Sequence, residues 1–211
     1  MNGEINESVS ALCLPKLIDI TCSVGAVMKL RAQIVPQATG EVLEIGIGSG
    51  LNLPFYNPDT VSAIVGVDPA AQMQKLARTR ADDIDIPVEI IAVDVQGIHA
   101  ASDRFDTIVM TFTLCSIADP LAALTEMARV LKPNGRLLFC EHGLAPDVTV
   151  ERWQHRLTPL WKPFAGGCHL DRNIPALLAA GGFKVEALSA AYLSGPRLMS
   201  YIYSGSARLS V

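Results

Sequence analysis

The chain is short of positive charge: 17 Lys and Arg stand against 21 Asp and Glu, for a net charge of −4, and the basic residues form no stripe. Nucleic-acid binding concentrates Lys and Arg against phosphate, so no nucleic-acid partner is expected. A cysteine framework is missing too. Cys13, Cys22, Cys115, Cys140 and Cys168 are odd in number, scattered and never spaced as CxxC, which fits neither a disulfide scaffold nor a zinc site. No metal is expected, and a reducing cytoplasm suits the composition. No apolar run approaches the roughly 20 residues that cross a bilayer, the stretch from Ile20 to Met28 being far shorter. The opening MNGEINES is acidic and polar where an export signal is basic and then apolar, so a cytoplasmic protein is expected. Repeats and low-complexity segments are absent.

What is present is apolar. Half of the 211 residues are hydrophobic and only 18% are charged, which leaves room for a greasy pocket and keeps peripheral membrane contact open. The length suits one domain over residues 1–211. Its most informative stretch is EVLEIGIGSG, Glu41 to Gly50. Val42, Leu43 and Ile45 read as a buried parallel strand, and the turn after it alternates Gly46, Gly48 and Gly50. Glycine lets another molecule lie against the backbone, so this turn points to a nucleotide-like ligand or, more plainly, to a tight strand-to-helix connection.

The rest of the chain narrows the choice. Apolar residues from Leu17 to Leu30 keep a helical period, placing a helix over 14–35 that packs on a sheet edge or covers the pocket. SAIVGV forms a second strand ending at Asp68, 18 positions after Gly50. An acidic residue at that spacing can accept both ribose hydroxyls of an adenosine, and it can equally cap a helix that starts at Pro69. Within that helix Met73, Leu76 and Ala77 are expected to face inward. PVEIIAV makes a third strand ending at Asp94, FDTIVMT a fourth, and RLLFCEH a fifth after a helix over 120–131 and a KPNG turn. Residues 143–170, far longer than the usual 2 to 6 residue connection, read as a substrate-side insertion. A helix over 171–180 and two final strands, 183–193 and 198–209, joined by a short turn and hence antiparallel, complete an α/β chain. Doubly wound parallel architecture follows from the strand–helix alternation.

The Glu-x-Gly-x-Gly-x-Gly turn, Asp68, Asp94 and the terminal strand pair together resemble a class I S-adenosylmethionine-dependent methyltransferase of type 11. The resemblance implies a Rossmann-like, doubly wound seven-stranded sheet with an antiparallel last strand. It also implies S-adenosyl-L-methionine as cofactor, S-adenosyl-L-homocysteine as product and a small-molecule methyl acceptor as partner. Carried over residue by residue, it sets Gly46, Gly48 and Gly50 under the methionine portion and Asp68, followed by Pro69, at the ribose. Met73, Asp94 and Val95 surround adenine, Thr111 and Phe112 lie beside the sulfonium, Glu44 supports the turn, and Cys115 at the same end of the sheet is a further cofactor-binding candidate, with a small buried hydrophobe the competing role. A dinucleotide dehydrogenase would more often place its third glycine at position 51, which is Leu here.

LCSIADP, RVLKPNGRLLFCEH and RWQHRLTPLWKPFAGGCHLDR extend the resemblance to the alkyl thiol S-methyltransferase group, while VLEIGIGSGLNLPFY also resembles bacterial phosphatidylethanolamine N-methyltransferases. A thiol acceptor is favoured. Phospholipid-headgroup or small-amine N-methylation is the alternative, and a non-catalytic cofactor-binding module is a third reading. Candidate bases are His142, then Glu141 and His169. Trp153, Trp161 and Phe164 are candidates for an apolar acceptor wall, with core packing the competing role.

Overall fold

The computed structural model describes residues 25–210. In chain order the elements are α1 (Gly25–Ile34), β1 (Gly40–Ile45), β2 (Val61–Val67), α2 (Ala71–Ala81), β3 (Val88–Ile91), β4 (Phe105–Thr111), α3 (Pro120–Val130), β5 (Leu131–His142), α4 (Val148–Trp161), α5 (Ile174–Ala180), β6 (Phe183–Tyr192) and β7 (Tyr201–Leu209). Positions 14–24 of the expected first helix lie outside the described residues.

The strands form one sheet in the order β3-β2-β1-β4-β5-β7-β6. All described pairs are parallel except those of β7, which runs antiparallel to β5 and β6. Strand β1 sits at the centre, and its residues 42–45 are buried on both faces, as an unbroken apolar run requires. Alternation then sorts the side chains. Leu43 and Ile45 pack with Leu124 and Met127 of α3 and Leu178 of α5, whereas Val42 packs with Ile34 of α1 and Ala77 of α2. Helices therefore cover both faces. The chain builds outward from β1 to β2 and β3, then returns to the other side of β1 to lay down β4 and β5. That reversal leaves a crevice at the carboxyl ends of β1 and β4, the place where open α/β sheets bind ligands.

Several local expectations shift. KPNG does not close α3 as a free turn; it is an irregularity inside β5, where the register with β4 jumps from Phe105↔Leu131 to Thr107↔Arg136. Strand β3 is shorter than PVEIIAV because Val93 N turns back to Ile91 O at 3.1 Å. Helix α2 starts at Ala71 with Ala70 as its N-cap, so Asp68 and Pro69 precede it, and Leu76 is 40% exposed rather than inward. The 143–170 segment holds a 14-residue helix, α4. Among the described residues no helix is long and apolar enough to cross a membrane.

Candidate functional site

The carboxyl ends of β1 to β5 and the segment after α4 enclose a cavity of about 750 Å³, well within the size range of cofactor sites. The glycine turn forms its floor. Gly46 (φ +67°) and Gly48 (φ +54°) occupy left-handed backbone and line the cavity. At Gly46 a side chain would run into Thr113, whose hydroxyl bonds to Ile45 O at 3.1 Å; only glycine keeps β1 and the loop after β4 this close. Gly50 does something else. Its hydrogen faces Leu53 and Ala77, with a hypothetical Cβ at 2.8 Å and 3.1 Å from their atoms, so it packs the turn onto α2 and does not line the cavity.

Asp68 lines the same cavity and braces the turn, accepting from Gly48 N at 3.0 Å and Ala70 N at 2.8 Å. Burial raises its carboxyl above the ordinary range, against the pull of those two donors. Pro69, Met73, Asp94 and Val95 are also in the wall, with Met73 and Asp68 both facing Gly48. Asp94 begins the 3₁₀ turn Val95–Gly97, which turns Val95 into the interior. The opposite side starts at the end of β4. Thr111 and Phe112 line it, and Phe112 is held at φ +55°, a conformation that side chains seldom adopt, by its N–H to Cys140 O at 2.8 Å. Cys115 and His142 follow, then Trp161, Phe164 and Cys168 from the 143–170 segment.

Glu44 stands behind the cavity. It is 1% exposed, accepting from Asn52 Nδ2 at 2.9 Å and Tyr56 O–H at 2.8 Å, and burial pushes its carboxyl up to about 7. Asn52 passes the contact on to Thr111 Oγ1 at 3.0 Å, so Glu44 reaches the wall through an intermediary.

Two of the three candidate bases do not face the cavity. Glu141 is fully buried, and its oxygens accept from Thr113 N at 2.8 Å and Cys115 N at 3.2 Å, which makes it an anchor for the loop after β4. Burial pushes this carboxyl to about 7 as well. His169 Nδ1 turns toward Asp171 at 3.7 Å, while its backbone N–H donates to Cys115 O at 2.8 Å. His142 is the one in the wall: Nδ1 lies 3.8 Å from Cys168 Sγ, and the buried Nε2 has no hydrogen-bond partner among the described residues. The neighbouring Cys115 thiol and His142 imidazole hold the Cys168 thiol well below the ordinary range. Of the aromatic trio, Trp161 and Phe164 line the cavity; Trp153 is half exposed on α4, with Arg156 5.7 Å from its ring. Among the described residues no group of three His, Cys, Asp or Glu could hold a metal ion.

Arg31, Asn52 and Tyr56 were absent from the sequence expectations. Arg31 reaches the cavity from α1, where a lone charge on a helix reads as a solvated face and its partners lie 21 and 80 positions away.

Residues 43–139 match the family described as "Methyltransferase domain". The thiol S-methyltransferase TMT1B of Rattus norvegicus is 37% identical over 136 residues, covering 63% of this chain and 55% of the relative. The phosphatidylethanolamine N-methyltransferase of Cereibacter sphaeroides is 32% identical over 105 residues, covering 49% and 51%. The chain thus spans about half the length of these curated relatives. In fold it is similar to the SAM-dependent methyltransferase of Aquifex aeolicus, with a TM-score of 0.66 at 17% identity over 92% and 98% of the two chains.

Proposed function

We propose that the chain is a class I S-adenosylmethionine-dependent methyltransferase that methylates a small, apolar acceptor, with a thiol first in order. The residues fit the cofactor. The cavity has room for it, two acidic side chains stand at the ends of β2 and β3, and apolar Met73 and Val95 lie between them. In this reading Gly46 and Gly48 underlie the methionine portion, Asp68 takes the ribose hydroxyls, Met73, Asp94 and Val95 hold adenine, and Thr111, Phe112 and Cys115 flank the reacting centre. When bound, S-adenosylmethionine supplies a methyl group on a positively charged sulfur and is left as S-adenosylhomocysteine. The protein's task is to hold an acceptor in line with that methyl, and alignment of this kind supplies up to about 7–11 kcal/mol of barrier lowering in favourable cases.

One observation carries the preference for a thiol. The carboxylates in the cavity wall, Asp68 and Asp94, both belong to the cofactor end; the remaining wall offers Cys115, His142, Trp161, Phe164 and Cys168, with no carboxylate. An ammonium acceptor would meet no carboxylate there. A thiol needs none, and His142 in the same wall is the candidate receiver of its proton. The 143–170 segment serves as the acceptor wall. The second reading, N-methylation of an amine or phospholipid headgroup, draws support from the similarity to the phosphatidylethanolamine enzyme.

The test is to incubate the purified protein with isotopically labelled S-adenosylmethionine and a panel of alkyl thiols, amines and phospholipids, following label by mass spectrometry. Labelled thioethers are expected. Label only in amines or headgroups would favour the second reading, and binding without turnover would leave a cofactor-binding module. With a thiol substrate, His142→Ala should lower kcat/KM about tenfold near pH 7, where only a few per cent of a free thiol is ionised. That deficit should close toward pH 9.5, since the thiolate then forms unaided. A deficit that stays constant over this range would mean that His142 acts by packing.

A further inference from the structure

One charged side chain in the cavity has no role in the reading above. Arg31 is 5% exposed and lines the cavity from α1. Both hydrogens of Nη1 are engaged, to Asn52 Oδ1 at 2.7 Å and Thr111 Oγ1 at 2.6 Å, and the guanidinium carbon lies 5.3 Å from the centre of the Phe112 ring. These neutral partners fix its orientation, and Glu44 feels the guanidinium charge without pairing with it directly. Glu44 is reached only through Asn52, its second oxygen being taken by Tyr56. Among the described residues, buried Nε has no hydrogen-bond partner and the hydrogen bonds of the guanidinium all come from Nη1. The Nε–Nη2 edge is the face with which arginine grips a carboxylate through two parallel hydrogen bonds. A buried guanidinium without a direct ion pair is costly, and part of that cost is recovered when an anion docks.

We propose that Arg31 clamps the α-carboxylate of the methionine portion of S-adenosylmethionine, making α1 part of the cofactor site. The proposal rests on the cofactor reading given above. The cofactor, not the acceptor, is the source of the carboxylate because Arg31 bonds to Asn52, two residues beyond the glycine turn, and to Thr111, and to no residue of the 143–170 segment. Neutral Asn52 and Thr111 spend Nη1 on positioning and leave the forked edge for the ligand.

The experiment is a comparison of two ligands by calorimetry: S-adenosylhomocysteine and its decarboxylated analogue, which keeps the adenosine, the thioether and the amine. Wild-type protein should bind the decarboxylated analogue about tenfold to a hundredfold more weakly than S-adenosylhomocysteine. Arg31→Gln should lose affinity for S-adenosylhomocysteine by a similar factor and leave the analogue unchanged. Arg31→Lys, which keeps the charge without the fork, should fall between and serves if the Gln variant does not fold. Equal weakening of both ligands, or equal affinity of wild-type protein for both, would overturn the carboxylate assignment. Failure of wild-type protein to bind S-adenosylhomocysteine would instead sink the cofactor reading beneath it.

Discussion

Glu141→Ala is expected to lower the free energy of unfolding by about 2–4 kcal/mol at pH 6, read as a reduced urea midpoint, because two buried N–H groups lose their acceptor. Thr113 N and Cys115 N both point at this carboxyl from the loop that forms one cavity wall. A second readout comes from pH. Burial places the folded carboxyl at about 7 against an ordinary 4.5, so between those values the native protein holds a proton that the unfolded chain has released. The stability contributed this way is fully present below about 4.5 and is lost as pH rises through about 7. Its size is on the order of 3 kcal/mol. Glu141→Gln cannot titrate, so the stability gap between wild type and Gln should shrink by that amount from pH 4.5 to 8. Glu44, shifted upward likewise, is present in both proteins, whereas Cys168, whose charge helps raise Glu141, contributes to the same difference. A gap that does not change with pH would show that Glu141 is not buried as described.

Adjacent residues explain why parts of this site could be read from sequence and others could not. The β1 run, the glycine turn and the acidic residues Asp68 and Asp94 are local signals at strand ends, and strand ends converge at the reversal between β1 and β4. His142 and Glu141 both read as candidate bases, His142 first, and consecutive strand residues point to opposite faces, so His142 lines the cavity and Glu141 anchors the loop behind it. Gly50 carries the same letter as Gly46 and Gly48 but meets α2 rather than ligand space, a distinction set by packing across 27 positions to Ala77. The KPNG signal is a true turn sequence whose chain direction was already fixed by β4 on either side of it, so it became an irregularity within β5. Arg31 left no trace at all. Its meaning depends on Asn52 and Thr111, and nothing in the spacing of an amphipathic helix announces that a polar position has been folded inward.

Asp68→Ala is expected to weaken S-adenosylhomocysteine binding by about 1.5–3 kcal/mol in calorimetry, the usual loss when hydrogen bonds to a charged group are removed. The carboxylate is partly stripped of water and satisfied on each oxygen by only one backbone donor, from Gly48 and Ala70, which leaves acceptor capacity for two hydroxyls. The same bonds raise a competing explanation: loss of Asp68 could loosen the Gly48 turn and weaken any ligand that rests on it. An analogue of S-adenosylhomocysteine without the ribose hydroxyls separates the two. If Asp68 recognises the ribose, the substitution should cost the parent ligand far more than the deoxygenated one. Were the two penalties equal, Asp68 would be a brace for the turn alone; were S-adenosylhomocysteine affinity unchanged with the fold intact, the ribose assignment would be wrong. The same comparison in Arg31→Gln should show equal loss for both ligands, since its proposed contact lies at the other end of the molecule, and the pair of variants would then map the cofactor's orientation along the cavity.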